Sequence, residues 1–410
     1  MSSTLRILKE PVHGAILVLA TLAIGLGLWL NVTNQFTDYG TGGGRFADQV
    51  DSYSEYLIRN SVLNDLFGTE NVGGSLVITR GYRERDYGYY ADGTQKYFSN
   101  RAAQRQVMTW LARLNVDFVK AHPDRFFQLF RLLNSLLLAI CLAAFFTAFF
   151  GRNLLALAAV LLSSLSSGFA LFASNLYFMT WLLLTPLFFF PALQRGHART
   201  YVLAAFLCSI AYFMVRYEFA TLFALLWFFP VLAHALKTGR CDWPTGIAAF
   251  VAVCFGFAVA LAAHHFAVAS ENGIRITDAS ALVLHSAAER VASLQDVPAP
   301  FTTDFIVRMG STWSWPALDL PRLLRVSKLA LLGVIIVLMA RTRCRPSRDI
   351  LIWSVLAYVS WYVFAYQHIV FHAVYDSLLF AATIYLALVF HLAWLVSASN
   401  CRPAPPDPAA

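Results

Sequence analysis

Of the 410 residues in this chain, 58% are hydrophobic and only 13% are charged, and the mean hydropathy is +0.59. Soluble domains carry about a quarter of their residues as charges, and here the apolar residues sit in uninterrupted runs that suit lipid better than a water-excluding core. The net charge of +8 lies mainly in short segments between those runs, which argues against a basic face built for nucleic acid.

The first run, 13–32, follows Arg6 and Lys9 and is long enough to cross a bilayer as a helix. It ends in Trp29, Leu30 and Asn31 rather than in a small-x-small cleavage site, so it reads as a retained anchor and not as a signal peptide. A long polar segment, 33–125, comes next. It holds Asp38 in a turn-like context, then Asp48, Asp51 and Glu55, and then an amphipathic stretch from Tyr56 through Leu57, Val62, Leu63, Leu66 and Phe67. Asp48 and Asp51 are three residues apart and would share one face of a helix. Carboxylates so placed can act as a general base on a hydroxyl, or hold a divalent cation against a phosphate leaving group; as solvated acids and helix caps they would do neither.

Farther along, 87–110 is dense in aromatic, amide and hydroxyl groups, among them Tyr97, Asn100 and Gln104. Such surfaces stack on sugar rings and hydrogen-bond their hydroxyls, and they equally anchor a chain at the membrane interface. A second amphipathic segment, 107–118, would lie flat on the bilayer with Trp110 and Leu114 toward lipid.

Nine further spans are expected at 126–150, 154–173, 177–193, 201–215, 219–236, 246–268, 326–340, 350–365 and 373–396. The fold class is thus an all-α polytopic membrane protein of about ten transmembrane helices. Partly helical outer loops follow helix 1 (33–125) and helix 7 (269–325), and 398–410 forms a Pro-rich tail. The stretch 201–236 is too long for one helix and is interrupted by Arg216 and Glu218, so it divides into a hairpin; a single tilted helix would give nine spans. With ten, the inside connections hold Arg152, Arg195, Arg199, Lys237, Arg240, Arg341, Arg343, Arg345, Arg348 and Arg402, and both termini are cytoplasmic. Cys141, Cys208 and Cys254 fall in spans and Cys241, Cys344 and Cys401 on the inside, so no disulfide framework is expected in the outer loops.

Ionisable groups close to hydrocarbon usually face a cavity or a partner. Arg216 and Glu218 sit at the outer turn of the hairpin. His368 and His372 start the last span four residues apart, followed by Asp376, and His264 and His265 end the seventh. Arg216 suits a lipid phosphate through bidentate bonds, as do Arg290 and Arg308 of the second loop, and the histidines suit a phosphate or a proton. The competing reading of Arg216 and Glu218 is an ion pair marking a tight turn. Two histidines without an assigned third ligand do not make a metal site. Trp313 and Trp315 before Pro316 read as interface anchors rather than as a sugar platform.

Three stretches carry a family likeness: Tyr97-Phe98-Ser99-Asn100 with Gln104 downstream, Val215-Arg216-Tyr217-Glu218-Phe219 at the hairpin, and His368-Ile369-Val370-Phe371-His372 before the last span. With a first helix that begins inside and a long outer loop carrying early acids, the chain resembles the GT-C superfamily of multi-span glycosyltransferases, which take sugars from polyprenyl-phosphate carriers. The resemblance covers about a third of the chain. It implies a bacterial inner-membrane protein with a site on the outer face, a base among Asp38, Asp48 and Asp51, and basic residues binding the carrier phosphate. The donor would be a lipid-linked sugar and the acceptor a glycan, lipid or protein. No carboxy-terminal soluble domain is recognisable, which leaves acceptor recognition to 269–325 or to a partner protein. A transporter or flippase for lipid-linked glycans and another membrane transferase are the alternative readings.

Overall fold

The computed structural model describes residues 2–30, 52–67, 76–79, 94–98, 101–292, 302–320, 324–364 and 375–399, and over these the chain is overwhelmingly helical. Two short antiparallel hairpins interrupt the helices: β1 (Leu76–Thr79) with β2 (Thr94–Tyr97), and β3 (Pro316–Leu320) with β4 (Leu324–Ser327). Five helices among the described residues are long and apolar enough to cross a membrane: Pro123–Phe150, Ala198–Val215, Ala220–Thr238, Trp243–Asn272 and Tyr375–Ala398. Gly14–Leu30 and Leu154–Ser164 are apolar but shorter.

Helix α1 (Ser2–Leu30) is followed by α2 (Ser52–Phe67), the amphipathic stretch of the first loop, which buries Leu57, Ile58, Val62 and Leu63. The segment expected as one flat helix over 107–118 is two: α3 (Ala103–Ala112) and α4 (Val116–Ala121), parted at Asn115, whose side chain caps α4 by accepting from Phe118 N at 3.0 Å. One residue later Pro123 opens α5 (Pro123–Phe150), the first long apolar helix. Helix α1 runs antiparallel to α5: Trp29 Nε1 donates to Gln128 at 3.0 Å near one end, while Gly14 lies against Arg152 at the other.

Two expected spans are broken. The run 154–173 divides into α6 (Leu154–Ser164) and α7 (Ser167–Phe172), because serine hydroxyls compete with the backbone at the junction: Ser164 Oγ donates to Leu161 O at 2.7 Å and Ser166 Oγ caps Phe169 N at 3.3 Å. The run 177–193 becomes three short turns, α8 (Thr180–Leu183), α9 (Thr185–Phe188) and α10 (Phe190–Gln194). Pro186 and Pro191 stand at the starts of the second and third, where a missing N–H interrupts the ladder.

The split of 201–236 is observed. Helix α11 (Ala198–Val215) stops at Arg216, and α12 (Ala220–Leu226) with α13 (Phe228–Thr238) returns, Tyr212 stacking on Phe223 with centroids 4.3 Å apart. Helix α14 (Trp243–Asn272) lies parallel to α11, and the approach is close: a Cβ on Gly256 would stand 1.7 Å from Ser209 Oγ. It extends beyond the expected 246–268, so His264 and His265 lie two turns inside the helix rather than at its end; the stop is Gly273 at φ 63°. Then come α15 (Ile276–Ala292), α16 (Thr303–Trp313), the β3–β4 hairpin, α17 (Lys328–Arg341), α18 (Arg345–Phe364) and α19 (Tyr375–Phe380). A π-helical stretch, Ala381–Tyr385, leads into α20 (Leu386–Ser399).

Hydrogen bonds sort the helix termini into two ends. At one meet Gln194, Lys237 and Ala148 O, and likewise Ser347 and His391, whose side chains are 2.7 Å apart. At the other lie Arg216, Lys328 and Asp376, and there the polar side chains of interest collect.

Candidate functional site

The Arg216 end is built on backbone that is not helical. Between α7 and α8 the residues 174–179 form an irregular segment packed inside the protein, with Asn175, Leu176, Tyr177 and Phe178 all buried. Peptide groups withdrawn from water and lipid need partners, and side chains supply them. Asn175 Oδ1 accepts from Tyr177 N at 2.8 Å and Phe178 N at 3.0 Å, Asn134 of α5 donates to Asn175 O at 3.1 Å, and Gln104 of α3 donates to Tyr177 O at 3.3 Å. The segment therefore holds its two aromatic rings in fixed places.

Those rings box Arg216. The guanidinium carbon lies 3.9 Å from the ring centre of Phe178, 4.6 Å from Phe219 and 5.6 Å from Tyr177, and the residue is 1% exposed. Its nearest carboxylate oxygen is Glu218 Oε2, 3.7 Å from Nε and beyond hydrogen-bond reach. Glu218 in turn accepts from the Tyr177 hydroxyl at 2.9 Å, and its backbone carbonyl accepts from the Tyr212 hydroxyl at 2.8 Å. Among the described residues, Arg216 Nε and Nη2 and Gln104 Oε1 are buried without hydrogen-bond partners. Two donors and one acceptor thus converge around Tyr177, and a buried guanidinium with unused N–H groups is costly unless something else accepts them.

Three residues other than glycine have left-handed backbone among the described residues: Ala102, Met179 and Phe219. They flank Arg101, Phe178 and Glu218. Such residues cost about 1–3 kcal/mol each and persist where the surroundings over-determine them; here all three border the same site.

Helix α3 and its neighbours close the site from above. Arg101 forms a fork on Glu271 of α14 (2.8 and 2.6 Å), and Arg105 lies 3.5 Å from Asp65 of α2, which also accepts from Thr109 at 3.0 Å. Burial holds the Asp65 carboxyl above its usual range, with Arg105 and Thr109 opposing, and burial lowers Arg105. His264 Nδ1 and the Tyr217 hydroxyl are 2.8 Å apart. No group of three or more His, Cys, Asp or Glu that could hold a metal occurs among the described residues.

A second buried charge centre is closed. Lys328 and Asp376 are both fully buried and 2.5 Å apart through Oδ2; Oδ1 takes the Tyr358 hydroxyl at 2.6 Å and also the Tyr362 hydroxyl. Trp313 Nε1 donates to Tyr362 at 3.0 Å, and the Lys328 ammonium lies 5.5 Å from the Trp315 ring. The two tryptophans expected as interface anchors therefore belong to an internal network. The aromatic rings of Phe219, Trp361 and Tyr375 separate this centre from Arg216, Phe219 lying 4.7 Å from Trp361 and 6.1 Å from Tyr375.

No family model, curated protein or solved structure matches this chain.

Of the residues singled out in the sequence, Arg216, Glu218 and Gln104 are brought together, although Gln104 is buried and engaged with Tyr177 rather than presented at a surface. Glu55, grouped with the early acids, pairs with Arg131. Tyr97 ends β2 opposite Leu76, Arg290 lies on α15 and Arg308 on α16. Asp38, Asp48, Asp51, Asn100, His368 and His372 lie outside the described residues. Sequence reasoning missed Arg101, Arg105, Asp65, Glu271 and Lys328. Two of their pairings join residues 170 and 48 positions apart, and no local spacing signals such a partner.

Proposed function

We propose that this protein is a membrane glycosyltransferase that takes a sugar from a polyprenyl-phosphate carrier, with its site on the outer face of a bacterial inner membrane. The observation that carries the reading is Arg216: a buried guanidinium in an aromatic box, with Nε and Nη2 making no hydrogen bond among the described residues, where spanning helices end. A planar fork with free N–H groups suits a phosphate oxygen, and the low-dielectric surroundings strengthen that contact. An apolar groove of about 330 Å³ supports the lipid half of the donor. It is lined by Leu137, Cys141, Trp181, Phe188, Leu207 and Ala211, and Ala211 lies on α11 five residues before Arg216, which follows the end of that helix.

In this reading ten passes put both termini in the cytoplasm and the Arg216 end outside. The antiparallel α1 and α5, the hairpin at Arg216 and the parallel α11 and α14 support that parity. A loop carboxylate among Asp38, Asp48 and Asp51 takes the proton of an acceptor hydroxyl. The acceptor oxygen bonds to the anomeric carbon as the bond from that carbon to the phosphate oxygen breaks, and the electron pair leaves with the lipid phosphate, inverting the centre. Arg216 stabilises the charge that develops on the departing phosphate. Clustering of the polar groups at one end favours one-sided chemistry over passage through the membrane.

The test is binding of a polyprenyl phosphate to the full chain in nanodiscs, followed by native mass spectrometry, together with glycan assembly in cells. Arg216→Lys keeps the charge and removes the fork, and is expected to weaken binding about tenfold, the scale of one charged hydrogen bond. Unchanged binding in that variant, or intact glycan assembly in each of Asp38→Asn, Asp48→Asn and Asp51→Asn, would overturn the proposal.

A further inference from the structure

Helix α3 is amphipathic the wrong way round. Its buried face carries Gln104, Arg105 and Thr109 with Met108 and Ala112, while Val107, Trp110 and, just past its end, Leu114 are 54%, 63% and 71% exposed. These three fall at i, i+3 and i+7, one stripe of a helix. A helix docked on a water-soluble protein turns such a stripe inward; α3 instead buries its polar side, because Gln104 serves the Tyr177 carbonyl and Arg105 and Thr109 meet Asp65. The stripe is therefore left facing away from the protein.

Connectivity says what lies there. Leu114 precedes by nine residues the start of α5, one of the helices long and apolar enough to cross a membrane, and only the short α4 intervenes. Exposed apolar residues continue down the first turns of α5 at Leu129 and Leu133. Arg113 stands beside the stripe, and Lys120 and Arg125 follow it, with Asp117 and Asp124 between them; all five are exposed, and Asp124 is paired with Arg59. Apolar residues that enter the acyl boundary beside basic residues that reach phosphate headgroups are the pattern of an interfacial helix.

We infer that α3 lies in the plane of the membrane surface, with Val107, Trp110 and Leu114 inserted at the headgroup–acyl boundary of phospholipid. The occupant of this face is lipid, and neither a soluble partner nor a second copy of the chain. Since the opposite face of the same helix carries Gln104 and Arg105, the lipid surface fixes the height at which these two residues meet the Arg216 site. The inference stands on the helix itself and holds whether or not Arg216 binds a lipid phosphate.

The test places the full chain in nanodiscs of phosphatidylcholine and phosphatidylglycerol, with or without bromine on the acyl chains. The emission of Trp110 is read as the difference between the parent and Trp110→Phe. Brominated lipid is expected to reduce that component about twofold, as for a ring seated within the interface, and aqueous acrylamide to have little effect. Quenching by acrylamide and not by brominated lipid would place the stripe in water and overturn the inference. A second measurement uses a benzophenone amino acid at position 110, with position 129 on α5 as the lipid-facing reference. Lipid adducts at both positions support the inference, whereas an adduct at 110 to a protein, or lipid adducts at 129 alone, sink it.

Discussion

The two buried charge centres of this protein are made of similar parts and are finished differently. At Lys328–Asp376 each carboxylate oxygen has a donor, the ammonium has its carboxylate, and the supporting tyrosines contact each other and Trp313. At Arg216–Glu218 the guanidinium faces aromatic rings, its carboxylate stands 3.7 Å away, and two of its nitrogens make no hydrogen bond among the described residues. A network in which each charged group has a hydrogen-bonded partner holds elements together. An incomplete one retains hydrogen-bonding capacity that folding did not use, which is what recognition requires.

The largest effect should come from breaking the closed centre. Lys328→Met leaves Asp376 buried without its cation and is expected to cost about 3–5 kcal/mol, whereas Lys328→Met combined with Asp376→Leu should recover most of that loss, because a buried pair often exchanges for apolar residues at little net cost. Thermal unfolding of the purified protein in nanodiscs reads both. A double variant as unstable as the single one would mean that the tyrosine contacts, and not charge compensation, dominate.

The open centre should respond far less. Arg216→Met with Glu218→Gln removes an ion pair that is not hydrogen-bonded and donors that are not used, so the melting curve is expected to move by about 1 kcal/mol or less. A drop as large as that of Lys328→Met would erase the contrast between the two centres.

The smallest effect concerns Asp65, under α3. Burial raises its folded pKa above the ordinary 3.8, so the folded state holds its proton to higher pH than the unfolded chain. Its contribution is full below the unfolded value and is lost as pH rises through the folded one. Relative to the parent, Asp65→Asn should therefore become more stable as pH rises across that window. Protease resistance of the α2–α3 region, measured from acid toward neutral pH, checks the sign.

Much of the helical plan was legible because hydrophobic length and charge spacing are local signals. The hairpin at Arg216 could be read from one Arg and one Glu interrupting an apolar run, and α2 from the spacing of Leu57, Val62 and Leu63. The broken helices were not, since serine and proline, the residue types at 164, 166, 186 and 191, are tolerated within spanning helices when neighbouring groups satisfy the backbone. Lys328 lies inside an expected span, 326–340, and carries no local signal of a partner; only the fold brings Asp376 to it. Glu218 and Arg216 were recognisable as neighbours, but the rings of Phe178 and Tyr177 that turn them into a site come from a segment expected to be plain helix.

The irregular 174–179 segment also carries an order of assembly. The side chains that substitute for solvent around it, Gln104 and Asn134, both precede it in the chain. A ribosome delivering the protein from its amino terminus therefore places those two amides in the nascent bundle before the peptide groups that depend on them arrive. Arg216 then enters a box with two of its walls already standing, and Phe219 supplies the third.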